Sequence, residues 1–496
     1  MANKITGSCE EKFVMQTGSF NLSTQSAEEV LDHLQACLRE TSAEQAIYLR
    51  IASVLSTKIS EGYFEAGEWL PSHRSLAKSF DVNLTTVTKS LNYLKERGVI
   101  SARAGKGTVV RGRALDHTPP SYDVADVAPE IDLSVHTQTL NSVNKILRDG
   151  SKEFVASATS EINQYYPAIG DRQSIDTATK WLLFSDFNIS DANVAVTAGA
   201  QHALLIAMAA CMQRGDILLA PRLAYQGIKS AAKMLGLGVS PVEIDSGGII
   251  PADLEKAVQN PRVKALFIMP NFDNPTAVTL SDARKKSIAS IAKRHSIILI
   301  EDDVYRFLAP EGLASLHSMY PEGTFYFSSL SKTISPGCRF GFLVYPPNFF
   351  NAVATASRGS IWMPDRYSLA LARWLIESNA GEEVIKLVRE KNVSRHDIAF
   401  RILGSEINNI KPESNIIWLP LDSNAQSSLM KDRLAARGVG VSNSDVFKIG
   451  KSAYQNGIRL YKSAARNDEE WEIALRTIAG QLRSDAGGAG QSCLEN

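Results

Sequence analysis

Ser329, Ser331, Lys332 and Arg339 fall close together in the stretch Ser-Ser-Leu-Ser-Lys-Thr-Ile-Ser-Pro-Gly-Cys-Arg-Phe-Gly-Phe, residues 328–342. A lysine amine forms a Schiff base with an aldehyde, and hydroxyls with a guanidinium hold a phosphate. Pyridoxal 5'-phosphate carries both groups. A Ser-x-Ser-Lys run alone also fits a surface lysine beside a turn, so the reading depends on what else the chain supplies.

Such residues need elements to position them. The apolar run Ile-Ile-Leu-Ile, residues 297–300, has the character of a strand buried in a parallel sheet, and it leads directly into Glu-Asp-Asp-Val-Tyr. Ligands of open α/β sheets bind beyond the carboxyl ends of the strands. A carboxylate there keeps a pyridine nitrogen protonated and makes the ring an electron sink. Asp302 takes that role, with Tyr305 at the phenolic oxygen; a helix N-terminal acidic cap is the alternative. Residues 265–269 form a second buried run ahead of Pro-Asn-Phe-Asp-Asn-Pro-Thr, where Asn274 is either a donor to the ring oxygen or a turn residue before proline. Residues 194–197 form a third, followed by Ala-Gly-Ala-Gln and the apolar-periodic 203–212. Small residues at such a junction let backbone N–H groups approach a phosphate, though many α/β turns look the same and bind nothing. Tyr225 is either a stacking ring or a core or surface tyrosine.

Order and spacing separate these alternatives. Gly-Ala-Gln, Tyr, Asn-Pro-Thr, Asp-x-x-Tyr, Ser-x-Ser-Lys and Arg follow one another along the chain, and the series resembles the fold-type I aminotransferases. The resemblance implies that Ala200, Gln201, Ser329, Ser331 and Arg339 bind the cofactor phosphate, that Tyr225 stacks on the ring, and that Asn274, Asp302 and Tyr305 tune it. Lys332 would form the Schiff base. Arg459, in Gly-Ile-Arg-Leu, would bind a substrate α-carboxylate, for which a planar two-pronged donor is suited. Tyr165, in Gln-Tyr-Tyr-Pro before Gly170, would enter the site of a dimer partner. Two departures stand out: Ala277 follows Asn-Pro-Thr where glycine is usual, and Glu413-Ser414-Asn415 replaces a small or Gly-rich pocket wall before Trp418.

Residues 44–113 have a different pattern. Ile47, Leu49, Ile51, Val54, Leu55 and Ile59 suggest an amphipathic helix ending near Gly62; Ser72 is placed to cap a second over 74–80. A third runs from about Asn83 to Gly98, with Val87, Leu91 and Leu94 on one face. Two apolar segments, 99–102 and 108–110, flank a basic Gly-rich tip. Three helices and a hairpin make a winged helix-turn-helix, whose third helix enters the major groove of double-stranded DNA. This window holds eleven Lys or Arg against six acids, a net +5, while the whole chain balances at 53 against 53. The module resembles the GntR regulators through Gly-Glu-Trp-Leu-Pro-Ser-His-Arg-Ser-Leu-Ala, Val-Asn-Leu-Thr-Thr-Val and Gly-Lys-Gly-Thr-Val-Val. By position Arg74, Thr85, Thr86, Lys89 and Lys106 would contact DNA, while Leu84 departs from the polar or basic residue expected at the start of the recognition helix.

The expected fold class is therefore multidomain α/β. It comprises an extension over 1–43, a winged helix-turn-helix over 44–113, a linker over 114–135, an aminotransferase-like domain over 136–484 and a mobile tail over 485–496. The large domain should hold a mainly parallel sheet with helices on both faces and a smaller C-terminal subdomain. In the extension, Ser26 and Glu29 form a candidate capping box, and Val30, Leu31, Leu34, Cys37 and Leu38 line one helical face, to pack on the regulator module or on a partner subunit. Five cysteines without metal-type spacing, and no apolar run of about 18 residues, fit a reducing cytoplasm with no metal site and no membrane span. Joined in this order, the two modules resemble the MocR subfamily of GntR regulators. That implies a homodimeric transcription factor responding to pyridoxal phosphate, or to an amine or amino acid that reacts with it. The alternative is a working aminotransferase carrying a DNA-binding module; transaminase activity is open but not expected as the main role.

Overall fold

The computed structural model describes residues 27–39, 46–60, 63–64, 67–96, 99–103, 107–110, 129–159, 162–185, 187, 193–407, 409–421, 427–450 and 456–491. Lys106, Ser26 and most of the expected linker lie outside them. The chain divides into two compact units between His117 and Thr118.

In the first unit, helices Ile47–Ser60, His73–Ser79 and Leu84–Glu96 precede a hairpin of Ile100–Arg103 with Gly107–Val110. Ser72 Oγ accepts the Ser75 N–H at 3.1 Å, which caps the second helix as the sequence suggests. Apolar residues at helical spacing, Ile51 and Leu55 in the first helix and Val87, Leu91 and Leu94 in the third, close a common core with Leu76. Helix Ala27–Arg39 adds Val30, Leu34 and Leu38 to that core. Its backbone is tied down as well: Arg50 donates to the Leu38 carbonyl and Ser79 Oγ to that of Leu31, both at 3.1 Å. Of the two partners expected for the extension, the helix thus packs on the regulator module.

The second unit is built on a seven-stranded sheet. Its order is Asn193–Thr197, Gly341–Tyr345, Thr324–Ser329, Ile298–Asp302, Val263–Ile268, Ile217–Pro221 and Gly238–Val242. All neighbouring pairs are parallel except those made by Gly341–Tyr345, which is antiparallel to both its neighbours. Alternate residues feed two separate cores: Leu218, Ala220, Ala265, Phe267 and Ile300 enter one, and Leu219, Leu266, Ile268 and Leu299 the other. The sheet is accordingly covered on both faces, as its short apolar strands require. A smaller antiparallel sheet of Ile416–Pro420, Gly457–Tyr461 and Ser442–Asn443 follows.

Two boundaries differ from expectation. Ile131–Asp132 pairs in parallel with Val439–Gly440, so the end of the expected linker is already part of this unit. The last helix, Asp468–Gln491, continues beyond the boundary at 484, on a face where Trp471, Ala474, Leu475 and Ile478 are buried.

Candidate functional site

The carboxyl ends of the parallel strands lie at one edge of the sheet, and most of the candidate residues follow those ends directly. Because Gly341–Tyr345 runs the other way, the residues before it, including Arg339, arrive at the same edge. Lys332 closes the 3-10 turn Leu330–Lys332 after strand Thr324–Ser329. Its Nζ stands 5.6 Å from the ring centroid of Tyr461. Tyr305 is buried and donates its hydroxyl to Tyr461 Oη at 3.4 Å.

Asp302 and Asp303 face opposite ways, as consecutive residues of an extended chain must. Asp302 is buried on the Lys332 side; burial raises its carboxyl to about 7, against the pull of the Val304 N–H and the Lys332 ammonium. Asp303 accepts from Asn271 Nδ2 at 2.8 Å and Tyr326 Oη at 3.4 Å, and its charged neighbours are Arg306 and Lys285. Glu301 shares that second side and accepts the N–H groups of Leu316 and His317 at 2.9 and 2.8 Å.

A second group forms a cradle. Helix Ala200–Cys211 begins after Gly199, which lies at φ 83° and ψ 174° and offers no side-chain acceptor to the first helical N–H groups. A Cβ at Gly199 would fall 2.5 Å from Arg339 Nη2. The guanidinium is held there by bonds from Nη1 to Ser331 Oγ and from Nη2 to the Ala198 carbonyl, both 3.0 Å. Ser329 is buried at the strand end, and Tyr225 donates to Gln201 Oε1 at 2.9 Å. Open backbone donors at a helix start, a guanidinium and serine hydroxyls are what a phosphate needs. With Lys332 and Asp302 beside them, these residues fit pyridoxal phosphate.

Arg459 forms the other wall. Its Nη1 donates to Asn274 Oδ1 and to Tyr461 Oη, each at 3.1 Å. Its Nη2 donates to Ser442 Oγ at 2.9 Å and to the Ser134 carbonyl. Nε is buried without a partner. Its Cζ lies 4.1 Å from the Tyr461 ring centroid and 4.9 Å from that of Phe447. Burial raises the Tyr461 phenol, but the Arg459 and Lys332 charges outweigh it and leave the group below its ordinary value.

Sequence reasoning missed Tyr461, although a residue two positions after Arg459 on a strand faces the same side. It missed His136 as well. This side chain is buried, with its ring 5.6 Å from that of Tyr461 and Nδ1 2.7 Å from Asn415 Nδ2. Asn415 is one of the bulky departures in the pocket wall. Tyr165 does not join the cluster within this chain: it is 83% exposed beside Trp362, whereas Tyr166 is buried under Arg366.

In the first unit, Arg74, Thr85 and Lys89 are exposed and Thr86 is half-buried. Lys89 Nζ sits 4.0 Å over the Tyr48 ring, along an open groove that also includes Leu84 and Thr85. Leu84, the apolar departure, is exposed at the helix start.

Known proteins match both units. Residues 129–478 match the family described as aminotransferase class I and II, and residues 47–110 match the bacterial regulatory proteins of the gntR family. The uncharacterized HTH-type transcriptional regulator YdeF of Bacillus subtilis is 27% identical over 441 residues, covering 88% of this chain and 94% of that protein. The uncharacterized HTH-type transcriptional regulator YjiR of Escherichia coli is 25% identical over 463 residues, covering 87% and 97%. Among solved structures, kynurenine aminotransferase of Pyrococcus horikoshii superposes with a TM-score of 0.66 at 21% identity, covering 73% of this chain and 92% of that one.

Proposed function

Because the chain belongs to the aminotransferase class I and II family and carries a gntR-family module ahead of that domain, we propose that it is a DNA-binding transcriptional regulator of the MocR type. Its C-terminal domain binds pyridoxal 5'-phosphate at Lys332 and responds to the cofactor or to an amine or amino acid that reacts with it. The observation that carries this reading is the grouping of Lys332, Asp302, Tyr305 and Arg459 around Tyr461, with the Gly199–Arg339 cradle nearby, in a chain whose other unit is a winged helix-turn-helix.

When bound, pyridoxal phosphate supplies an aldehyde for an amine and a ring that draws electrons from whatever is attached. Lys332 provides the amine. Gly199 to Gln201, Ser329, Ser331 and Arg339 would hold the phosphate, Tyr225 would cover a ring face, and Asp302 would keep a proton on the ring nitrogen. Asn274 and Tyr305 would tune the phenolic oxygen of the cofactor. A ligand that freed the Lys332 amine would change charge and packing around Tyr461, and it would alter DNA affinity only as far as it binds the two arrangements of the protein unequally. We place the protein in the cytoplasm as a homodimer, with Tyr165 and Trp362 at the subunit contact and Tyr165 reaching the partner's site. On DNA, the third helix enters the major groove, with Arg74 and Lys89 at backbone phosphates and Thr85 and Thr86 at base edges.

The test uses full-length protein loaded with pyridoxal phosphate. Borohydride reduction followed by peptide mapping should label Lys332, and Lys332→Ala should lose the label. A label on another lysine refutes the site, and DNA binding unaffected by both cofactor and amines refutes the sensor.

A further inference from the structure

Helix Leu84–Glu96 buries Val87, Leu91 and Leu94 in the core of the first unit and keeps Leu84 and Lys89 exposed. Leu84, Thr88 and Asn92 recur every four residues, so they share one face, and they border an open groove with Lys89 and Tyr48. Thr88 Oγ1 donates to the Leu84 carbonyl at 2.9 Å. Its proton is engaged within the helix, so the groove meets a leucine side chain and no free hydroxyl hydrogen from Thr88. Beside them the Lys89 ammonium is held 4.0 Å from the Tyr48 ring centroid. Tyr48 is itself tied to the third helix, because Ser90 Oγ donates to its carbonyl at 2.8 Å.

An exposed leucine taken alone means little, since apolar atoms cover much of any protein surface. Position gives this one meaning. It is 45% exposed at the first residue of the helix that a winged helix-turn-helix lays in the major groove, where side chains near the N-terminal end meet base edges. The module around it carries a net +5 in a chain that balances overall, so the groove suits a polyanion rather than an apolar protein surface. Within the DNA major groove the apolar group open to a leucine is the C5 methyl of thymine.

Resting on the reading of the first unit as a DNA-binding module, we infer that Leu84 is a specificity residue whose side chain packs on the C5 methyl of one thymine in each half-site. The operator therefore carries an A·T pair at that position, with the thymine methyl turned to the protein. A basic side chain at the same place would instead favour guanine, whose O6 and N7 both accept hydrogen bonds. The apolar departure at Leu84 thus changes which base is read, and Lys89 beside it supplies attraction to the backbone without choosing a base.

The experiment first selects binding sites for the full-length protein from a random duplex library, with pyridoxal phosphate present. Affinity is then measured by fluorescence anisotropy on a selected duplex in which one thymine at a time is replaced by deoxyuridine. That replacement removes a methyl group and leaves every hydrogen-bonding edge as it was. One thymine in each half-site should be sensitive, with binding weakened about 3–5-fold for each methyl removed. Leu84→Ala should bind the thymine and deoxyuridine duplexes alike, and Leu84→Met, which keeps an apolar side chain of similar reach, should retain the difference. Because Leu84 lies outside the core, these variants test contact with DNA rather than folding. In a repeated selection, Leu84→Arg should bring guanine to the position. The inference is overturned if no thymine responds to methyl removal, or if Leu84→Ala responds as strongly as the unmodified protein. Failure of the unmodified protein to select any sequence instead overturns the reading beneath it.

Discussion

Gly199→Ala tests the phosphate cradle without removing a polar group. The new Cβ would lie 2.5 Å from Arg339 Nη2, 2.8 Å from Cζ and 3.1 Å from Nη1. Gly199 also sits at φ 83° and ψ 174°, a region open in practice only to glycine, so the backbone itself costs on the order of 1–3 kcal/mol. The guanidinium must move and gives up its 3.0 Å bond to the Ala198 carbonyl, a further ~0.5–1.5 kcal/mol. Stability should fall by about 2–4 kcal/mol. Loss of the guanidinium–phosphate bond should weaken pyridoxal phosphate binding by about 10–100-fold, the equivalent of ~1.5–3 kcal/mol. Gly215→Ala is the control, since Gly215 lies at φ 93° with no atom within 4 Å of the added carbon. It should share part of the stability loss and none of the loss in cofactor affinity. Thermal denaturation and a cofactor absorbance titration measure the two quantities. Equal cofactor affinity in the two variants would refute the cradle as a phosphate site.

Asp302→Asn should weaken the electronic shift of the bound cofactor strongly and Asp303→Asn only slightly; the reverse order would assign the ring nitrogen to the other carboxylate. The same Asp302→Asn variant isolates a pH effect in cofactor-free protein. Burial raises the Asp302 carboxyl to about 7, above its ordinary value of about 3.9. A raised carboxyl stabilises the fold at low pH and loses that contribution as pH rises through its folded value. Wild type should lose stability relative to Asp302→Asn between pH ~4 and ~7 and then hold a constant difference; a flat difference across that window would show that Asp302 is not buried as an acid. On DNA, Arg74→Ala should lower affinity for all sequences and flatten the salt dependence by about one unit of slope, whereas Thr85→Val should alter which sequence is preferred. Gel shifts of the full-length protein at several salt concentrations, on its own upstream region and on unrelated DNA, distinguish these two patterns.

How much was readable in the sequence follows from which signals are local. Asp302, Asn274 and Gly199 each follow a strand that announces itself as a short apolar run, so strand recognition brings them to one edge, whereas the strand ahead of Lys332, Thr324–Ser329, was not singled out. The divergent orientation of Asp302 and Asp303 follows from strand geometry too. Tyr461 was readable by the same rule, two residues beyond Arg459, yet attention to the arginine alone passed over it. His136 was not readable. Its place depends on Asn415 and Ser463, far along the chain, meeting it across the small sheet. The linker boundary was misplaced because Ile131–Asp132 is only two residues long and pairs with a strand more than three hundred residues away.

The helix Ala27–Arg39 changes where the DNA-binding unit can be cut. A hybrid regulator made by exchanging residues 47–110 alone would place the apolar side chains of Leu34 and Leu38 against a foreign surface, although both are buried in the native core. Each is worth about 1.5–3 kcal/mol when fully covered, so a mismatched graft starts with a substantial deficit in packing. Cutting ahead of Ala27 moves the helix with the surface it was shaped for. The portable module is thus longer than its sequence signature.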